Sequence, residues 1–155
     1  METAYFPMFV DISAMKILIA GGGKIAVRRV QTLLMFAKDI TVVAPEICPE
    51  MEELVCSGAV HWISEHYSPE FLAEKEMVLA TTDKHEVNRE IVKDCREREK
   101  TEGRKILVNT ADDKTQCDFF FPSIVQKDEI VVGINSSGRN PGKVSRTRKK
   151  VEEIL

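Results

Sequence analysis

Short apolar runs and stretches of helical period alternate along the first two thirds of the chain. Met15 to Ala20 reads as a strand, and Ile40 to Val43, Val60 to Ser64, Met77 to Thr81 and Ile106 to Asn109 read as four more. Between them, Ile25 to Ala37 carries Val27, Val30, Leu33 and Leu34 at helical spacing. Cys48 to Ser57 makes a short helix stopped by Gly58, and Val87 to Glu99 a charged amphipathic one. Strands separated by helices imply parallel pairing through right-handed crossovers, hence a doubly wound α/β sheet. The pattern changes after Asn109. Phe119 to Val125 and Glu129 to Ile134 are β-prone runs separated by Gln126-Lys127-Asp128, which suits an antiparallel hairpin. Asn140 then offers an N-cap, and Pro141 a first helical position, for a C-terminal helical segment running toward Leu155.

A chain of 155 residues buries one sizeable core and is short for two ordinary domains. No stretch approaches the ~20 apolar residues that span a bilayer, and the mildly apolar Tyr5 to Val10 lacks a basic segment ahead of it. A cytoplasmic protein with no membrane partner is expected. Cys48, Cys56, Cys95 and Cys117 form no Cys-x-x-Cys pair and have no matching histidine spacing, so neither a disulfide framework nor a zinc site is indicated. His61, His66 and His85 share no spacing, and surface or strand positions explain each more simply than metal ligation. No metal ligands are expected.

The first strand empties into Gly21-Gly22-Gly23-Lys24-Ile25-Ala26, which opens a helix. That arrangement suits a dinucleotide. Gly21 permits a tight turn, Gly23 lets the backbone approach a pyrophosphate, and small Ala26 lets helix and strand pack closely, while the helix points free N–H groups at the phosphates. The fold expected is therefore a Rossmann-like doubly wound parallel sheet followed by a β-hairpin and the C-terminal helical segment. Residues 1–113 are expected to form the NAD-binding unit, and 114–155 the hairpin and the C-terminal helical segment.

Ligands of open α/β sheets lie beyond the carboxyl ends of the strands, so Gly21 to Ala26, Ala44-Pro45-Glu46, Thr81-Thr82-Asp83 and Asn109 to Asp113 are expected to converge. The strand end about 20 residues past the glycines should carry an acid for ribose hydroxyls; Ala44-Pro45 does not, and Glu46 is the substitute. No arginine lies nearby, which favours NAD over NADP. Thr81, Thr82 and Asp83 either meet the cofactor or cap the following helix. Asp112 and Asp113 either handle a proton beside a hydride acceptor or serve as turn aspartates.

The formal charge of −3 hides an uneven distribution. Arg139, Lys143, Arg146, Arg148, Lys149 and Lys150 crowd a window without a single acid, on an otherwise acidic chain. This points either to an anionic partner or to a solvated helix face. Just ahead of it, Ser136-Ser137-Gly138-Arg139-Asn140-Pro141 combines hydroxyls, a flexible glycine, an arginine and a helix start, so it reads as an anion cradle or as a plain strand-to-helix turn.

Taken together in order and spacing, several motifs resemble the dehydrogenase and chelatase module at the N-terminus of siroheme synthases, which is also found as free-standing precorrin-2 dehydrogenases. They are Phe6-Pro7-Met8-Phe9, Gly21 to Ala26 with Arg28-Arg29, Ala80-Thr81-Thr82-Asp83 with Val87-Asn88, Val108 to Asp112, Phe121-Pro122-Ser123 and Ser136-Ser137-Gly138. The resemblance covers nearly the whole chain. It implies NAD-dependent oxidation of precorrin-2 to sirohydrochlorin and, in some members, insertion of ferrous iron. It also implies a catalytic role for Asp112, cofactor contacts at Lys24, Ile25, Pro45 and Glu46, and a place for Ser137, with Ser136, near the tetrapyrrole. The carboxylate-rich tetrapyrrole gives Arg139, Asn140 and Lys143 an anionic substrate, with no nucleic acid involved. Longer members continue into a helical region that completes a homodimer, and Leu155 falls soon after that region would begin, so the resemblance adds to 114–155 the start of a dimerisation and tetrapyrrole-binding region. Two rival functions are a bifunctional dehydrogenase and ferrochelatase, and a non-catalytic NAD-sensing module. The sensor accounts for the glycine turn but not for Asp112 or the serine loop.

Overall fold

β1 (Lys16–Ala20), β2 (Asp39–Val43) and β4 (Met77–Ala80) are almost wholly buried apolar runs, as strands covered on both faces must be. With β3 (His61–Ile63) and β5 (Leu107–Thr110) they form a five-stranded sheet in the order β3-β2-β1-β4-β5, parallel throughout. The expected Rossmann-like sheet is present. The computed structural model describes residues 5–155.

Alternate residues serve opposite faces. Leu18, Ala20, Val78, Ala80 and Val108 pack against Ile91, Val92 and Cys95 of α3 (His85–Glu102). Ile17, Ile19 and Leu79, also fully buried, point to the other face, where α1 (Lys24–Leu33) lies on β1 and against α2 (Pro49–Cys56). α1 is shorter than its apolar period implied, because the chain loosens into turns after Leu33 and tucks in Ala37 (3 % exposed) before β2. α3 is longer at both ends and stops at Gly103, whose φ of 65° is the left-handed conformation that ends helices.

The described residues fall into two compact units, Asp11–Phe119 and Phe120–Leu155 with the residues up to Val10. Residues 114–119, grouped with the hairpin in the sequence reading, lie with the sheet. The reason is a strap along β5. Asp118 N–H donates to the Val108 carbonyl and its carboxylate accepts from Val108 N–H, both at 2.8 Å, and Asn109 Nδ2 donates to the Phe119 carbonyl at 2.9 Å. Arg96 and Lys105 hold the Asp118 carboxylate from the side. The strap occupies an edge that would otherwise be open to pairing.

In the smaller unit β6 (Ser123–Lys127) and β7 (Ile130–Ile134) form the expected antiparallel hairpin. The turn is Asp128-Glu129, with Asp128 at a φ of 51°. An aspartate tolerates that conformation. α4 (Pro141–Ile154) packs on the hairpin, and its Asn140 cap accepts from Lys143 N–H at 2.8 Å, as its sequence predicts.

Candidate active site

Parallel register sets the carboxyl ends of the strands side by side: Ala20 pairs with Val43 on one flank and Ala80 on the other, and Ala80 with Thr110. The segments expected to converge do share this edge. At strand spacings of ~4.8 Å the row from β2 to β5 spans roughly 14 Å, enough for the two halves of a dinucleotide to be gripped by different loops.

β1 leads into Gly21 at a φ of 121°, and a Cβ there would lie 2.7 Å from the Thr81 carbonyl oxygen and 2.8 Å from its hydroxyl. Gly22 is needed for another reason, since a Cβ would run into the Glu46 carbonyl oxygen and the Ile47 side chain, and Cys48 N–H donates to the Gly22 carbonyl at 2.9 Å. The loop after β2 is thereby pinned over the glycine turn, with Pro45 and Glu46 exposed beside it. Gly23 differs from both: no atom lies within 4 Å of where its Cβ would stand.

Gly23 is also the N-cap of α1, without a side-chain cap and without an acid in the first turn. The first helical bond runs from Val27 N–H to the Gly23 carbonyl at 3.0 Å. The amides ahead of it have no intrahelical acceptor, and the uncompensated dipole attracts negative charge. Lys24 and Ile25 are exposed at this mouth while Ala26 is fully buried against the sheet. Open space over Gly23, free amides and a lysine fit a pyrophosphate. Thr81 turns away from it: this buried threonine donates its hydroxyl to the Ala20 carbonyl at 2.9 Å. The cap of α3 is Lys84 with no side-chain bond, so the capping alternative for Thr81, Thr82 and Asp83 does not describe this helix.

The loops after β4 and β5 are joined through Asp112. Thr110 Oγ1 donates to Asp112 Oδ1 at 2.6 Å, Asn88 Nδ2 donates to Oδ2 at 3.0 Å, and His85 Nδ1 lies 2.6 Å from Oδ2. Asn88 is 1 % exposed and fully used, for it also donates to the Thr82 carbonyl and accepts from Thr82 N–H and Oγ1. Partial burial works to raise the Asp112 pKa, yet the bonds from Thr110, Asn88 and His85 outweigh it and hold it at about 2. The neighbouring Asp113 is the turn aspartate, accepting from Thr115 N–H and Oγ1 and from Gln116 Nε2.

His85 and Asn88 were missed as functional candidates. The available signal was their i, i+3 spacing at the start of the helix after β4, which puts both on one face; a search for shared spacing among the histidines alone passes over it.

In the smaller unit, Ser136 Oγ accepts from Asn140 N–H at 3.0 Å, and Ser137 (φ 55°) and Gly138 (φ 71°) are consecutive left-handed residues. Arg139 and Lys143 are exposed around the start of α4. Within its own unit the loop leads from β7 into the Asn140 cap of α4.

Among the described residues no group of three histidine, cysteine, aspartate or glutamate side chains stands ready to hold a metal ion, and no helix is long and apolar enough to cross a membrane.

Fold and glycine turn define a dinucleotide-binding α/β domain. A family model described as "Putative NAD(P)-binding" matches residues 8–123, and the chain belongs to that family. Over 151 residues, 97 % of the chain, it is 34 % identical to siroheme synthase 1 of Serratia proteamaculans (strain 568) and 37 % identical to siroheme synthase of Sodalis glossinidius (strain morsitans). The chain spans only about 30 % of the length of these curated relatives. Its fold is similar to that of SirC, precorrin-2 dehydrogenase, with a TM-score of 0.80 at 22 % identity, covering 97 % of this chain and 71 % of that one.

Proposed function

We propose that this chain oxidises precorrin-2 to sirohydrochlorin with NAD⁺. The observation that carries the reading is the shared strand edge: an anion-ready helix start after β1 and, across β4, an ionised and fully braced carboxylate after β5. A sensor needs the first and has no use for the second. Similarity to siroheme synthases over nearly the whole chain supports the substrate.

In this reading the α1 amides and Lys24 hold the pyrophosphate, Ile25 lies against the cofactor, and exposed Glu46 meets the ribose hydroxyls. The acid there and the absence of an arginine from Ala44-Pro45-Glu46 favour NAD over NADP. The bound nicotinamide supplies a hydride acceptor. Asp112, kept charged by Thr110, Asn88 and His85, assists the accompanying proton loss. Ser136, Ser137, Arg139, Asn140 and Lys143 recognise the carboxylates of the tetrapyrrole. Phe6 (87 % exposed) and Phe9 (79 %) are large apolar groups that a second copy of the chain would cover, which supports a homodimer. The four free cysteines suit the cytoplasm.

Purified protein mixed with precorrin-2 and NAD⁺ should give the spectrum of sirohydrochlorin together with NADH absorbance. Absence of both in folded protein that binds NAD⁺ would favour the sensor.

A further inference from the structure

We propose that Nε2 of His85 is the proton acceptor of the dehydrogenation and that Asp112 is the residue that positions it; this rests on the dehydrogenase reading above. Asp112 itself is badly placed to take the proton. A carboxylate has about four lone-pair sites, and Thr110, Asn88 and His85 already occupy three of them. With a pKa held at about 2 it also lies far from the near-neutral value that suits a general base.

The 2.6 Å contact fixes the imidazole instead. Two lone pairs facing each other at that distance would repel, so Nδ1 carries the hydrogen and donates it to Asp112. In the neutral ring Nε2 is then the basic nitrogen. The His85 side chain is 74 % exposed against 18 % for Asp112, so the ring and not the carboxylate meets a ligand.

Position agrees with chemistry. With the pyrophosphate over Gly23 and the adenosine ribose toward Glu46 on the β2 side, the reactive end of the dinucleotide extends toward β4 and β5, where His85 opens α3. In the step itself, one hydrogen leaves substrate carbon with its bonding electrons for the oxidised nicotinamide. A second leaves as a proton to Nε2, and the pair from its broken bond becomes the new double bond. The substrate loses two electrons, the nicotinamide gains them, and His85 returns its proton to water. Asp112, from the loop after β5, contacts the ring, and Asp83, Lys84, Glu86 and Arg89 are the charged residues nearest to His85 along its own loop and helix.

The test uses His85→Asn, whose amide keeps a donor near the Nδ1 position for Asp112 but has no base in place of Nε2. If His85 only braces Asp112, this variant turns over normally. If it accepts the proton, kcat for precorrin-2 falls by ~10²-fold or more, NAD⁺ affinity stays within twofold, and the acidic limb of the kcat/KM profile disappears. His85→Ala should recover activity in added imidazole. Nitrogen-15 NMR of the parent without ligands should show His85 protonated on Nδ1 when neutral, and Asp112→Asn should erase that preference. Full activity in His85→Asn, or an Nε2–H tautomer in the parent, overturns the assignment while leaving the dehydrogenase reading intact. A parent that binds NAD⁺ without oxidising precorrin-2 overturns both.

Discussion

Asp112 and Asp113 are chemically alike and adjacent, and they differ in what reaches them. Asp113 receives only its own turn, whereas Asp112 collects donors from the last residue of β5 and from two positions on α3. Such bracing ties charge to stability. A carboxylate whose folded pKa, about 2, lies below the unfolded value of about 3.9 adds stability that is full above pH ~4, declines between ~4 and ~2, and is gone below. Solvent screening at this accessible edge limits the contribution to about 1 kcal/mol. Asp112→Asn should therefore be less stable than the parent by about 1 kcal/mol at pH 7, and the gap should narrow as urea denaturation is repeated from pH 4 down to pH 2. A gap that does not change with pH would mean that shape, not charge, is what the network needs. The same variant should lose ~10²-fold or more in dehydrogenation with NAD⁺ affinity nearly unchanged, because the dinucleotide contacts lie at the glycine turn.

At the scale of elements, the β1–α1 turn assigns its glycines to different tasks. A Cβ at Gly22 meets the backbone of the loop after β2, while one at Gly23 meets nothing. Gly22→Ala should thus destabilise the fold by about 1–3 kcal/mol through overpacking. Gly23→Val meets no steric clash but puts a poor N-cap residue at the start of α1, so it should cost only about 1 kcal/mol of stability yet bind NAD⁺ at least ~10-fold more weakly, the equivalent of about 1.4 kcal/mol. Thermal unfolding and NAD⁺ titration of the two variants check this; full affinity in Gly23→Val would remove the pyrophosphate from α1.

Much of this framework was legible beforehand because it is local. Buried parallel strands declare themselves as apolar runs, and the turn, the hairpin and the Asn140-Pro141 helix start carry their own residue chemistry. What was not legible depends on groups distant in the chain. Gly22 is constrained by Glu46, Thr81 bonds back to Ala20, and the strap at Asp118 closes onto Val108. The same holds for His85, whose meaning appears only when the ends of β4 and β5 stand side by side.

For the molecule as a whole, charge is divided between regions. The smaller unit carries the cluster from Arg139 to Lys150, and α4, which holds most of it, has no buried residue, so these cations are kept in water and not spent on a core. A cationic helix start on an acidic chain suits a substrate bearing several carboxylates, and recognition through exposed charges has a salt signature. Charge-assisted contacts weaken as the Debye length falls from ~10 Å at 0.1 M toward ~3 Å at 1 M. Replacing Arg139 and Lys143 together by glutamine leaves the Asn140 cap, whose partner is the Lys143 backbone N–H, in place. The Arg139→Gln/Lys143→Gln protein should therefore keep α4 and its NAD⁺ affinity while its KM for precorrin-2 rises roughly 10-fold at low ionic strength, about 1.4 kcal/mol. High salt should raise the parent's KM toward that of the variant. If the two values coincide at low salt, the basic segment is a solvated face, and recognition of the tetrapyrrole carboxylates must be sought elsewhere in the chain.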